Sequence, residues 1–441
     1  ILCCGLIERH SFMKMNITRT TGAVALVASA ALVLAGCSSS GGGESSGGES
    51  GGEASTGPLK IATLLPQTGS LDFLRPPVEA GIALALSDID AAGGVLGQPV
   101  EVVANANEGD GSDITVVEKG AQEVISSGAA FVMGAMSTSR SQHVYQDITG
   151  AGILMGSPSN TGDVMTGVSP LYFRTAPPDS VQGSVLAQLI LDDGNEKVGF
   201  LTFNDVYGLG LRDTVEDLVT EGGAEVVYGG KSEGNEFPVE QTSFASEVTA
   251  LKASGAEAIV VITFDQVEQI VPELKAQGVD LSKVYLVDGS LKNFESLEAG
   301  LLAGAQGTKP GYEVDADFLQ ALKDAYQEEH GSELADLTYA PEAYDLLTIV
   351  ALAAEKAGAT DAASIQKQLA AVTGADGGEE CSSFADCKKL IEDGKDIHYV
   401  TKAGVGPLNE NNDPSTAWIG IYKYGTDSNE PVFVRSEEGT I

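Results

Sequence analysis

Three short stretches carry side chains suited to gripping a small charged molecule. "MSTS" brings Ser137, Thr138 and Ser139 together, "SPSNT" does the same for Ser159, Asn160 and Thr161, and "VDGS" holds Asp288. Hydroxyls and amides beside helix N-termini suit a carboxylate. An aspartate on the opposite side suits an ammonium, and Tyr207, Phe264 and Phe73 can wall the space between. This chemistry is non-covalent. Signatures of bond-making chemistry are absent from the sequence, with no GxxxxGK[ST] phosphate loop and no HExxH. "AGGVLG" follows a helix rather than a strand, and "YGLGLRD" lacks the third glycine of a dinucleotide loop. No cofactor is expected. No metal site is expected either, because the histidines stand far apart at 10, 143, 330 and 398. Singly, a serine or threonine at a strand end is most often a helix cap. Several of them gathered at matching strand ends point to a shared site.

The elements that must position these residues are legible as an alternation. From Leu59 onward, short β-branched runs alternate with amphipathic stretches, the rhythm of βαβ units and a parallel sheet. "LKIATLL", "VEVVANA", "AAFVMGA" and "GILMGSP" read as the first four strands. Val78, Ile82, Ala85, Leu86 and Ile89 fall on one helical face that Gly93 ends. A break follows at "YFRTAPPDSVQG". The rhythm then restarts with "KVGFLTF", "AEVVYG", "AEAIVVITF" and "KVYLVDG" as strands, and Pro272 is expected to kink its helix or delay the start to Val271. Beyond "GTKPG", helices dominate from Asp315 to Gly358 and from Ala362 to Ala371, before two strand-like runs, "TAWIGIYKYG" and "PVFVRS". Ligands of open α/β sheets bind beyond the carboxyl ends of the strands, and the candidate residues sit there.

Ahead of this body, Lys14 and Arg19 precede an almost unbroken apolar run, Ala23 to Ala35, in the order of an export signal. The run is too short for a bilayer span of roughly 20 residues. Leu34-Ala35-Gly36-Cys37 resembles the lipobox of bacterial lipoproteins, which implies a lipidated Cys37 as the first mature residue. Residues 1–12 are expected to lie upstream of a start at Met13 or Met15, so Cys3 and Cys4 carry no weight. From Ser38 to about Gly57 the chain is mostly Gly, Ser and Glu, a flexible tether. Beyond residue 36 the chain keeps 22 of its 25 basic and 62 of its 63 acidic side chains. Such a surface repels nucleic acid, whose binding rests on phosphate neutralisation by Lys and Arg. Only Cys381 and Cys387 remain in the body, and in an exported protein they are expected to pair.

"LLPQTGSLDFLRPPVEAGIALALSDIDAAGGVLGQPVE", "GILMGSPSNT", "YFRTAPPDSVQG", "NDVYGLGL", "YLVDGS" and the closing "DIHYVTKAGVGPLNENNDPSTAWIGIYKY" resemble the solute-binding proteins of branched-chain amino acid importers, the leucine/isoleucine/valine type. The resemblance covers about residues 58 to 441. It implies an α/β fold of two Rossmann-like lobes joined by three crossovers, the type I periplasmic-binding-protein fold. The crossings would fall near 176–179, 309–310 and 404–407. Lobe 1 would then comprise 58–177 with 310–405, and lobe 2 would comprise 178–309 with 406–441. It further implies that Thr138, Ser159 and Thr161 hold the ligand carboxylate, that Asp288 meets the α-amino group, and that Tyr207 and Phe264 come from the second lobe. The chain departs from the family at "DFLRPP", where Arg75 would favour a second acidic group on the ligand. The implied protein is not an enzyme but an extracytoplasmic receptor, lipid-anchored to the outer face of the cell membrane. It would hand an amino-acid-like or carboxylate solute to the membrane permease of an ABC importer. A surface sensor docking on a signalling receptor is the alternative, and an extracellular hydrolase is a weaker rival.

Overall fold

The computed structural model describes residues 55–109 and 113–440. The export signal, Cys37 and all of the tether but its last residues lie outside the described residues. Ser55 to Gly57, expected to be tether, are held to the body: the Thr360 N–H donates to Ser55 O at 2.7 Å, and its hydroxyl to Gly57 O at 3.1 Å.

The first lobe opens with β1 (Lys60–Leu65), α1 (Arg75–Ala91), β2 (Glu101–Asn107), α2 (Ile114–Ser127), β3 (Phe131–Gly134), α3 (Thr138–Gly150), β4 (Leu154–Ser157) and β5 (Tyr172–Arg174). These strands form one parallel sheet in the order β2-β1-β3-β4-β5. Helices cover both faces, so β1 is buried along five of its six residues. Ile61 and Leu65 join one core cluster, while Ala62 and Leu64 join another beneath α2 and α3. A strand buried on both faces reads as a continuous apolar run rather than an alternating one.

The second lobe follows with α4 (Asp179–Asp192), β6 (Lys197–Thr202), α5 (Val206–Glu221), β7 (Glu225–Tyr228), α6 (Ala245–Ser254), β8 (Ala258–Ile262), α7 (Val267–Ala276), β9 (Val284–Leu286) and β10 (Gln306–Pro310). The chain then returns to the first lobe with α8 (Ala316–His330), α9 (Ala340–Ala357), α10 (Ala362–Gln366), α11 (Leu369–Val372), β11 (Glu379–Cys381), α12 (Phe384–Glu392) and β12 (Ile397–Tyr399). Helices α8 and α9 pack on α1, and α9 also reaches β3 and β4. The approach of α9 is close enough that a Cβ on Gly81 would stand 2.4 Å from Ala340 O. A disulfide joins Cys381 and Cys387 across 5.3 Å between Cα atoms. Last, β13 (Thr416–Tyr424) and β14 (Pro431–Thr440) form an antiparallel hairpin on the edge of the second sheet, giving β14-β13-β10-β9-β8-β6-β7. The chain thus crosses between lobes three times: after Arg174, after Pro310, and between Tyr399 and Thr416.

Two local expectations change. The stretch read as a break holds the short strand β5 and the start of α4, with Pro178 as N-cap at φ −65°, a conformation proline already prefers. "GTKP", which the sequence does not mark as a strand, lies in β10. Pro272 sits inside α7, which begins at Val267 and buries Val267, Ile270, Val271 and Leu274. Burial of that face outweighs the single hydrogen bond a proline forfeits. Among the described residues no helix is long and apolar enough to cross a membrane.

Candidate functional site

Strands β3 and β4 of the first lobe and β6, β8 and β9 of the second all end toward a hollow between the lobes. Ser137, Thr138, Ser159, Thr161, Tyr207, Phe264 and Asp288 line it, together with Leu71, Leu74, Met136, Gly289 and Tyr339. Seven of the ten residues expected there are therefore brought together. Ser139 points into a neighbouring crevice beside Glu108 and Arg140, its hydroxyl 2.9 Å from that of Ser137. Asn160 does not face the hollow. Its amide donates to Ala135 O and Met136 O and accepts from the Tyr172 hydroxyl, all within buried structure. Phe73 lies elsewhere, 4.9 Å beneath the Lys292 ammonium, and Leu71 and Leu74 of the same loop take the wall position instead. Arg75 is also displaced from the expected role. It pairs with Glu79 at 3.1 Å and faces a separate hollow near His330, so it does not call for a second acidic group on the ligand.

The first-lobe side presents hydroxyls. Thr138 Oγ1 accepts the Gly162 N–H at 3.3 Å, which leaves its own proton free, and the buried Thr161 hydroxyl has no partner. The Ser159 hydroxyl is already committed to Met136 O at 2.8 Å. Behind this loop lies Glu108, 1% exposed, accepting the Met136 N–H at 2.5 Å and the Ser137 N–H at 3.1 Å. Burial pushes its carboxyl up to about 8, against the lowering pull of those two N–H groups and of Arg140. Arg174 braces the loop that follows β4. It donates to Asn160 O and Gly162 O at 3.0 Å each and forms a two-point pair with Asp413, at 2.6 and 3.0 Å, with neither side chain more than 1% exposed.

The opposite side presents acceptors. Asp288 Oδ1 accepts from the Tyr207 hydroxyl at 2.7 Å and Gln182 Nε2 at 2.9 Å, and Oδ2 accepts from the Tyr339 hydroxyl at 2.7 Å. Burial raises the Asp288 carboxyl and these three donors hold it down. Gly289 allows this crowding, since a Cβ there would stand 2.8 Å from Thr263 O and 3.2 Å from the Tyr207 ring. Tyr207 stacks on Phe264 with 5.6 Å between ring centroids. Asp179, the first residue of α4, is fully buried, and both its carboxyl oxygens lack a hydrogen-bond partner, as does Gln182 Oε1. Burial first, then the charge of Asp288, lifts Asp179 well above the usual carboxylate range.

Asp179, Gln182, Tyr339 and Glu108 were not among the residues expected from sequence. Glu108 directly follows β2, so the strand-end rule reaches it. Asp179 arrives through the first crossover and Tyr339 through the connection between α8 and α9, which no local pattern announces. Among the described residues no group of His, Cys, Asp and Glu is arranged to hold a metal.

Residues 58–398 match the family model described as periplasmic binding protein. The chain belongs to that family. A Leu/Ile/Val-binding protein homolog of Brucella melitensis is 27% identical over 377 residues, 84% of this chain and 92% of that protein. The substrate-binding protein of a branched-chain amino acid transporter from Streptococcus pneumoniae, solved with isoleucine, superposes with a TM-score of 0.68 at 21% identity, over 86% of this chain and all of that one. A solute-binding protein of an ABC transporter from Rhodopseudomonas palustris, solved with p-hydroxybenzoic acid, gives 0.70 at 17% identity, over 87% and 98%. Periplasmic binding proteins hold solutes rather than transform them, and the two lobes with their three crossovers are the family's architecture.

Proposed function

We propose that this periplasmic binding protein captures a small zwitterion between its lobes and delivers it to the permease of an ABC importer. The observation that carries the reading is a polarity: the free hydroxyl of Thr138 lines one wall of the hollow and Asp288 lines the other, with the buried, unpartnered Asp179 carboxyl near enough to feel the charge of Asp288. Buried acceptors without donors are costly to leave unmet, and an ammonium supplies three donors at once. Asp288 and Asp179 take the ammonium in this reading, and Thr138 and Thr161 take the carboxylate.

The hollow offers only about 20 Å³ with the lobes as they stand, roughly room for one water. An arriving solute therefore requires the lobes to part about the crossovers and to close again around it. A solute that touches both walls shifts that equilibrium toward closure by its preference for the closed form. The tight space, walled by Phe264 stacked on Tyr207 and by Leu71 and Leu74, favours a short side chain over a leucine-sized one. The lobes in this reading comprise 58–177 with 310–405, and 178–309 with 406–441.

A thermal-shift screen of amino acids, amides, short peptides and simple carboxylates tests the proposal. A ligand at 100 times its dissociation constant adds about 2.7 kcal/mol to stability. Small amino acids should raise the melting temperature and their des-amino counterparts should do so far less. A screen in which only des-amino carboxylates act would overturn the assignment of Asp288 and Asp179. The lipid anchor is part of the same proposal, since tethering keeps the receptor near its permease. It has its own test: Cys37→Ser should release the protein into the medium, and a variant that stays with membranes removes the anchor.

A further inference from the structure

Behind the cleft wall, at the hinge, lies a second cavity of about 480 Å³. Its walls come from both lobes: Lys309 at the end of β10 and Tyr422 and Phe433 of the hairpin on one side, Leu337 and Glu342 on the other, with Tyr312 of the second crossover between them. We propose that this cavity is a binding site for a small carboxylate with an apolar or ring-shaped body, and that its occupant biases the closure of the lobes.

The charge argument begins with Lys309. Its ammonium lies 3.1 Å from Thr338 Oγ1 and 4.9 Å from the Tyr422 ring centroid, and among the described residues no carboxylate pairs with it. In a chain of net charge −38, a lysine left without a counter-charge in a sheltered hollow is a place for an anion. Glu342 in the same wall is 3% exposed, and no other residue's side chain or N–H donates to its carboxyl. Burial, with Asp345 adding to it, pushes it up to about 8 against Lys309. A carboxyl kept protonated near neutrality donates a hydrogen bond to an incoming carboxylate instead of repelling it. The rest of the wall is made for hydrocarbon: Tyr422 and Phe433 meet edge to face at 5.6 Å, with Leu337 and Tyr312 opposite.

Coupling to closure follows from the proposed role of the cleft as a hinged trap. Tyr339 is shared by both cavities. Its ring lines the hinge site, its hydroxyl holds Asp288 Oδ2 on the cleft side, and its backbone stands at φ 64°, in the left-handed region that side-chain-bearing residues seldom adopt. An occupant that touches both lobes and this residue has different contacts in the open and closed forms, and the difference is a coupling free energy.

Benzoate is a suitable probe, and the chain's one tryptophan is a suitable reporter. Trp418 and Tyr312 both pack against Gly404, within 3.2 and 2.4 Å of where a Cβ would stand there. Titrating the mature chain with benzoate should change Trp418 emission saturably. Lys309→Gln should weaken that response at least about tenfold, the scale of one charge-assisted hydrogen bond. Val432→Asp, on a rim residue 59% exposed and so tolerant of substitution, should weaken it by like-charge repulsion. Thr138→Val, which removes a cleft hydroxyl assigned to the solute carboxylate and shares no hydrogen bond with Tyr339, should leave the response in place, so the hinge site survives even if the cleft takes no amino acid. A response lost in Thr138→Val but kept in both hinge variants would put benzoate in the cleft and overturn the hinge site, as would no saturable response in the parent protein. Small-angle scattering reads the second half: a radius of gyration unchanged at saturating benzoate would overturn the bias on closure.

Discussion

Replacing Glu108 by glutamine should change how the protein's stability depends on pH. In the folded state this carboxyl is buried behind the loop that begins α3, and burial pushes it from an ordinary 4.5 up to about 8. The unfolded chain releases its proton near 4.5. Between about pH 4.5 and 8 the folded form therefore holds a proton that the unfolded form has lost, so stability falls as pH rises, by about 1.4 kcal/mol per unit. Below 4.5 both states are protonated and the effect is absent; above about 8 it has reached its full size. Integrated over about pH 5 to 7.5 it amounts to about 3 kcal/mol. Glutamine cannot titrate, so Glu108→Gln removes this slope and adds only a pH-independent offset from its altered bonding to Met136 and Ser137. Glu342 and Asp345, raised to about 8 and about 6 by their own burial, slope the same way in both proteins and cancel in the difference. Urea unfolding of both proteins at several pH values gives the difference directly. It should grow in favour of Glu108→Gln as pH rises, and parallel curves would refute the assignment of a buried, protonated Glu108. The same charge bears on binding. Above about pH 8 an ionised Glu108 lies behind the loop that offers Thr138 to the solute carboxylate, so affinity should fall there in the parent protein and fall less in the variant.

Three other perturbations read the two walls of the cleft. Asp288→Asn should weaken an amino acid by about 10- to 150-fold, the range of a charge-assisted bond of about 1.5–3 kcal/mol, and should leave a des-amino analogue nearly unchanged; equal losses in isothermal titration would remove Asp288 from the ammonium. An ammonium arriving beside Asp179 should expel the proton that burial and Asp288 hold on it, so the binding heat should depend on the ionisation enthalpy of the buffer, and Asp179→Asn should abolish that dependence. Asp413→Asn leaves the Arg174 guanidinium buried without its counter-charge, which should cost about 3–5 kcal/mol in urea unfolding; a smaller loss than about 1 kcal/mol would mean that the backbone carbonyls of Asn160 and Gly162 suffice for Arg174.

What the sequence discloses and what it hides divide along one physical line. Strands such as Ala258–Ile262 are buried on both faces, so burial itself writes them as unbroken apolar runs, and their ends locate Tyr207, Phe264 and Asp288 without knowledge of the fold. β5 and β10 escape that reading because each is made a strand by its neighbours: Arg174 is buried only because Asp413 arrives from 239 residues away, and Lys309 stands in a strand only because β13 pairs with it. The cleft follows the same division. Which serine, threonine or asparagine of "SPSNT" faces the solute turns on one residue of register, and Asn160, between two cleft residues, turns inward to Tyr172. The ammonium wall is the least legible part, since Asp179 comes from the first crossover and Tyr339 from the connection between α8 and α9, and neither shares a motif with Asp288. A site placed at the junction of crossovers couples ligand contact to hinge position in the same side chains. For that reason the residues hardest to read from the sequence, Tyr339 above all, are those through which both the cleft and the hinge cavity would act on closure.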